Sequence, residues 1–173
     1  LVRKRKPVVG VPPAPSASAA ERVAGQIRDG RRMLCACTSE LGEAGAVKIA
    51  EALEERGMDE AEVEADKASA VTTLRFSGAS IGASGAERLA SALGQSASGL
   101  QRLDLCGCGI LDAGALRIAE ELGMHSKLRL LALARNGIGD PGAAQVAVLL
   151  RQHQELAELE LSGNCIGPEG AAA

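Results

Sequence analysis

From Val71 onward the chain repeats itself every 28 to 29 residues, and this interval limits the possible folds more than any other feature of the sequence. The segments align as LRFSGASIGASGAERLASAL from Leu74, LDLCGCGILDAGALRIAEEL from Leu103, LALARNGIGDPGAAQVAVLL from Leu131 and LELSGNCIGPEGAAA from Leu159. Apolar residues recur at fixed points: Leu74, Phe76 and Ile81, then Leu103, Leu105 and Ile110, then Leu131, Leu133 and Ile138, then Leu159, Leu161 and Ile166. Each unit opens with period 2, as a strand does. Beyond the isoleucine the spacing becomes i, i+3, i+4, i+7, as in Ala86, Leu89, Ala90 and Leu93 or Ala115, Ile118, Ala119 and Leu122. That pattern marks one face of a helix. Each unit therefore reads as strand, turn and helix. Asp112 and Asp140 stand where an N-cap belongs, and Pro141 takes the first helical position.

The frame continues upstream in weaker form. Leu34, Ala36 and Leu41 match the strand and turn positions, and Gly45, Ala46, Ile49, Ala50 and Leu53 match the helix, so residues 31–53 form a further unit. Val23, Ala24 and Ile27 suit the helix of a leading half-unit. Leu34 to Leu74 spans 40 residues rather than 29. The excess lies at about 54–70, where EERGMDEAEVEAD sets seven acids against one Arg, and reads as a solvated surface insertion.

A lone unit of this kind buries about eight apolar side chains at roughly 2 kcal/mol each, while ordering it costs on the order of 1.5 kcal/mol per residue. It cannot fold alone. Stacked units place their strands in one parallel sheet and cover it with helices, so stability arises at nearest-neighbour interfaces. Strands sit about 4.8 Å apart and helices about 8 to 10 Å, which bends the stack with the strands inside. Gly85, Ala86, Gly114, Ala115, Gly142 and Ala143 let each helix start approach the sheet closely. A turn column of Ala79, Cys108, Asn136 and Asn164 offers Asn or Cys side chains to backbone groups of adjoining turns; Ala79 has nothing to offer.

The pattern LxxLxLxxN/CxI followed by GxxGAxxLAxxL resembles the leucine-rich repeat of the ribonuclease-inhibitor-like class, as found in NLR-type receptor arrays and Ran GTPase-activating proteins. The likeness covers about residues 31–173 without the insertion. It implies an α/β solenoid, a horseshoe with parallel strands on the concave face and helices on the convex face. It also implies that the concave face binds another protein. The expected organisation is a basic Pro/Ala-rich tail over residues 1–18 and a repeat domain over 19–173. Because the chain opens with Leu and stops at Ala173 inside an unfinished unit, it reads as a fragment truncated at its C-terminus.

Composition narrows the function. With 19 Lys+Arg against 22 Asp+Glu the net charge is -3, which argues against a predominantly basic nucleic-acid binder. One Phe and no Trp or Tyr exclude stacking platforms for single strands. No apolar run approaches the roughly 18 to 20 residues of a membrane span, and no signal-peptide stretch opens the chain. The expectation is a partner protein, with no nucleic acid and no membrane, in the cytoplasm. The Arg3-Lys4-Arg5-Lys6-Pro7 run suits nuclear import or an acidic contact.

Catalysis finds little to work with. His125 and His153 are 28 residues apart, hence equivalent loop positions, and read as stacked solvent-facing residues rather than metal ligands. Five cysteines, an odd number, form no secreted framework; Cys35-x-Cys37 and Cys106-x-Cys108 read as structural thiols of a reducing compartment. Gly82, Gly85, Gly107 and Gly109 belong to repeat turns and not to a phosphate loop. The expectation is no enzyme, no cofactor and no metal. What remains is the outward side of the strands, with Arg75, Arg102, Asp104, Leu130, Ala132, Glu158 and Glu160 as the protein-binding residues. Arg75 and Asp104 fall in one column on adjoining strands, placed to pair. The face runs from arginines to the doubly acidic Glu158 and Glu160 across an apolar strip, and suits a basic patch beside an apolar ridge. Two alternatives accompany this reading: a fragment of a Ran-type small-GTPase activator, and the sensing repeats of an NLR-type receptor.

Overall fold

The structure is a computed structural model that describes residues 18–60, 71–96, 99–123, 127–153 and 155–173. Five three-residue strands, β1 (Met33–Cys35), β2 (Thr73–Arg75), β3 (Arg102–Asp104), β4 (Leu130–Ala132) and β5 (Glu158–Glu160), form one parallel sheet in chain order. The pairing register runs Leu34, Leu74, Leu103, Leu131, Leu159 across successive rungs. The apolar ladder is therefore in register. The first four leucines are buried, and Leu159 on the last rung is partly buried.

Helices fill the connections: α1 (Ala19–Arg28), α2 (Gly42–Glu60), α3 (Gly82–Ser96), α4 (Leu111–Leu122), α5 (Asp140–Gln152) and α6 (Pro168–Ala172). Each helix packs on the next, and α1 to α5 with the inward leucines and Phe76 form one continuous core, to which α6 adds no buried residue. This is the α/β leucine-rich-repeat solenoid, strands on the concave side and helices on the convex side. The leading half-unit is α1, which Ser18 and Glu21 open as a capping box. The front of the acidic insertion continues α2 as far as Glu60. Its remainder, like the basic tail through residue 17 and His125, lies outside the described residues.

Helix packing depends on missing side chains. A Cβ at Gly114 would sit 2.9 Å from Ile110 Cβ and 3.0 Å from Ala86 Cβ; one at Gly142 would sit 2.7 Å from Ile138 Cγ2. Real Cβ atoms essentially never show contacts under 3.0 Å, so a side chain at either glycine would force its neighbours to shift.

The aspartates act differently from the expectation. Ile110 and Gly139 are the N-cap residues of α4 and α5, and neither makes a side-chain cap bond. Asp112 lies inside the first turn of its own helix, and its Oδ1 accepts from the N–H groups of Gly139 (2.7 Å) and Gly142 (3.0 Å) in the following unit. Asp140 does the same for Gly167 (2.6 Å) and Gly170 (3.0 Å). Each Asp thus caps its neighbour's helix. The cause is lateral: the unpaired N–H groups that open one helix face the first turn of the helix before it. Asp140 takes the first position of α5, so Pro141 stands second.

The turn column works as the sequence indicates. Asn136 is 1% exposed; its Oδ1 accepts from Cys108 N (2.9 Å), and its Nδ2 donates to Leu105 O (2.8 Å) and Ala134 O (3.2 Å). Asn164 repeats this one rung later, accepting from Asn136 N (2.8 Å) and donating to Leu133 O (2.9 Å) and Leu161 O (2.8 Å). Cys108 gives its thiol to Phe76 O at 3.0 Å.

His153 corrects another expectation. It is 8% exposed rather than solvent-facing, and its Nε2 lies 2.7 Å from the Leu122 carbonyl that ends α4. The imidazole ties the ends of two helices together.

Candidate protein-binding face

The register sorts the outward side chains into columns. One runs Met33, Thr73, Arg102, Leu130, Glu158; the next runs Cys35, Arg75, Asp104, Ala132, Glu160. All seven residues singled out from the sequence therefore lie on one sheet face in adjacent columns. Arg75, Arg102, Glu158 and Glu160 are exposed, and Asp104 and Leu130 are half-buried.

Ala132 departs from the expectation of an exposed apolar strip. It is 5% exposed, and Ala134 beyond it 4%. A methyl group between longer neighbours cannot reach the surface, so these alanines form a floor. The strip is a depression of about 380 Å³ between β4 and β5, floored by Ala132 and walled by Leu130, Glu158 and Glu160.

The charges on this face divide into those in ion pairs and those without an ion-pair partner among the described residues. Arg75 Nε meets Asp104 Oδ2 at 3.5 Å, as the column alignment indicates. Asp104 also accepts from Ser77 Oγ at 2.6 Å and from the Cys106 N–H at 3.1 Å. Burial pushes the Asp104 carboxyl up, but the Ser77 and Cys106 hydrogen bonds and the Arg75 guanidinium outweigh it and hold it below its ordinary value. Asp104 is thus committed within the sheet. Among the described residues no ion pair joins Arg102, Glu158 or Glu160 to an opposite charge.

The first unit adds Met33 to this face and places Cys35 and Cys37, noted in the sequence only as structural thiols, beside it. Met33 heads its column at 69% exposure, and Cys35 and Cys37 lie with their sulfurs 3.1 Å apart. Counting the strand frame back one unit from Leu74 to Leu34 would have found them.

Among the described residues no helix is long and apolar enough to cross a membrane, and no three His, Cys, Asp or Glu side chains gather to hold a metal ion.

A leucine-rich repeat family model matches residues 125–147 and 153–173. No curated protein matches the chain in sequence. Among solved structures, a chain titled "Leiomodin-1 Actin-Binding Site 2 (ABS2)" is similar with a TM-score of 0.66 and 18% identity, over 87% of this chain and 80% of that one. At that identity the likeness concerns the fold. The family model covers the last two units, and the in-register ladder with a helix in every connection carries the same leucine-rich-repeat solenoid fold through the earlier units.

Proposed function

We propose that the chain is a non-enzymatic scaffold that binds a basic segment of another protein on its concave sheet face. The observation that carries this reading is the depression between β4 and β5, where two exposed carboxylates with no basic partner among the described residues flank an apolar floor. A Lys or Arg side chain suits such a place, its stem on Leu130 and Ala132 and its charge at Glu158 and Glu160. Arg75, Arg102 and Asp104 extend the contact along the sheet toward the first unit. The unit length and the helix in every connection support the ribonuclease-inhibitor-like class, with a repeat domain over 19–173 in a reducing compartment. The actin-binding neighbour and the repeats both favour a protein partner.

The test compares proteins captured by wild type, by Glu158→Arg/Glu160→Arg and by Glu169→Arg, a control on α6. Partners of the face are lost with the double reversal, kept with the control and released by salt. An identical set from all three chains removes the concave face as the binding site.

A further inference from the structure

Cys35 ends β1 and Cys37 follows in the turn, both exposed on either side of a pinned residue. Ala36 between them is 3% exposed; its N–H donates to Arg75 O at 2.7 Å, and its carbonyl accepts from Thr38 N at 2.8 Å. With Ala36 turned into the core and bonded at both ends, the flanking side chains project together, and their sulfurs stand 3.1 Å apart. A disulfide bond needs about 2.05 Å, roughly one ångström less. No second pair of thiols approaches this way among the described residues. Cys108 is buried, bonded to Phe76 O and pushed up to about 11 by burial. Burial also raises Cys106, and Cys165 is exposed without a neighbouring thiol.

We propose that Cys35 and Cys37 form a dithiol–disulfide switch on the first rung of the concave face, closed by exchange with a low-molecular-weight disulfide of the glutathione type. Cys35 attacks. Hydrogen bonds from the Cys37 side chain and backbone, with a smaller contribution from Arg75, lower its thiol below the ordinary value, while burial raises that of Cys37. The Cys35 thiolate displaces one thiolate from oxidised glutathione and forms a mixed disulfide. Cys37, losing its proton to solvent, then attacks Cys35 Sγ and expels the second thiolate. The protein loses two electrons and two protons, and one disulfide becomes two glutathione thiols. The resting state in a reducing compartment is the dithiol. Closure changes the surface in the column that continues through Arg75 and Asp104. The inference stands on the thiol geometry and is independent of the partner reading.

The test is peptide mapping of the whole reduced chain after exposure to graded mixtures of reduced and oxidised glutathione, quenched by alkylation. Trypsin releases residues 33–48, which hold Cys35 and Cys37 and no other cysteine. In wild type this peptide loses two hydrogen atoms and carries no glutathione. In Cys37→Ser the mixed disulfide accumulates on Cys35; in Cys35→Ser, Cys37 is modified about three- to tenfold more slowly than Cys35 is in Cys37→Ser. Cys165 serves as the internal reference for an ordinary exposed thiol. Separate glutathione adducts on both cysteines of wild type overturn the proposal. So does a peptide that stays reduced while Cys165 is modified. The wild-type mapping requires no variant to fold.

Discussion

The first three strand-bearing units and the last two reach the same architecture through different turns. In the early units the residue after the turn isoleucine or leucine is left-handed: Gly42 at φ 56°, Gly82 at φ 69° and Leu111 at φ 56°. Their N–H groups donate to the turn-column carbonyls of the next unit, Ala79, Cys108 and Asn136, at 3.0 to 3.1 Å. In the late units the equivalent residues, Gly139 and Gly167, are extended at φ -99° and -91°, and their N–H groups donate to Asp112 and Asp140 instead. The turn column changes at nearly the same place, from Ala79 and Cys108 to Asn136 and Asn164. At the helix starts one half closes backbone on backbone, and the other closes through the Asp side chain of the preceding unit. The matched stretches of the family model, 125–147 and 153–173, are the side-chain-closed units. A repeat's geometry thus tolerates more than one solution, while its sequence pattern is strongest where side chains supply the hydrogen bonds.

By that contrast, Asn136→Ala is the most damaging small substitution in the turns. It leaves the buried Cys108 N–H and Leu105 C=O without their partner, at about 1 to 3 kcal/mol for each unsatisfied group. Urea denaturation should show a loss of about 2 to 4 kcal/mol, against about 1 kcal/mol for Cys108→Ala one rung earlier. Equal losses would erase the distinction between the halves. A smaller effect follows from Asp112→Ala, which removes a cap from α5 rather than from α4: a loss of about 0.5 to 2 kcal/mol, with faster hydrogen exchange at Gly139 and Gly142 and not at the start of α4. The smallest has the opposite sign. Leu111 is exposed and holds a left-handed backbone where the two preceding units have glycine, a strain of roughly 1 to 2 kcal/mol. Glycine returns roughly 0.5 to 1 kcal/mol of that as chain entropy, so Leu111→Gly should raise stability by about 0.5 to 1 kcal/mol in a thermal melt. A loss would mean that the Leu111 side chain, close to Gly137, contributes more than its strain.

Much of this was legible in the chain. Period 2 followed by i, i+3, i+4, i+7 gave strand and helix in every unit, and the Leu34-to-Leu159 ladder gave the register. The columns of the outward sheet face followed from the same frame, because a strand's side alternation is fixed once one inward leucine is known. Other features were not legible. Ala132 was countable as outward, but its depth depends on the length of its neighbours' side chains. Asp112 matched the signature of a cap, yet a one-dimensional pattern cannot say that the helix start it serves lies 27 residues further on. His153 shares a loop position with His125 in sequence, but its burial depends on the end of α4 coming within reach.

The sequence alone determined the repeat, the leucine ladder and the alternation of strand and helix, since these depend only on residue spacing and on apolar surface leaving water. Tertiary structure alone decided which backbone groups each Asp and Asn satisfies, how deep the face between β4 and β5 lies, and that Cys35 and Cys37 meet. Those outcomes are set by distances between neighbouring units and by the pinning of Ala36 on β2, and distance between units is not written in the order of residues within one.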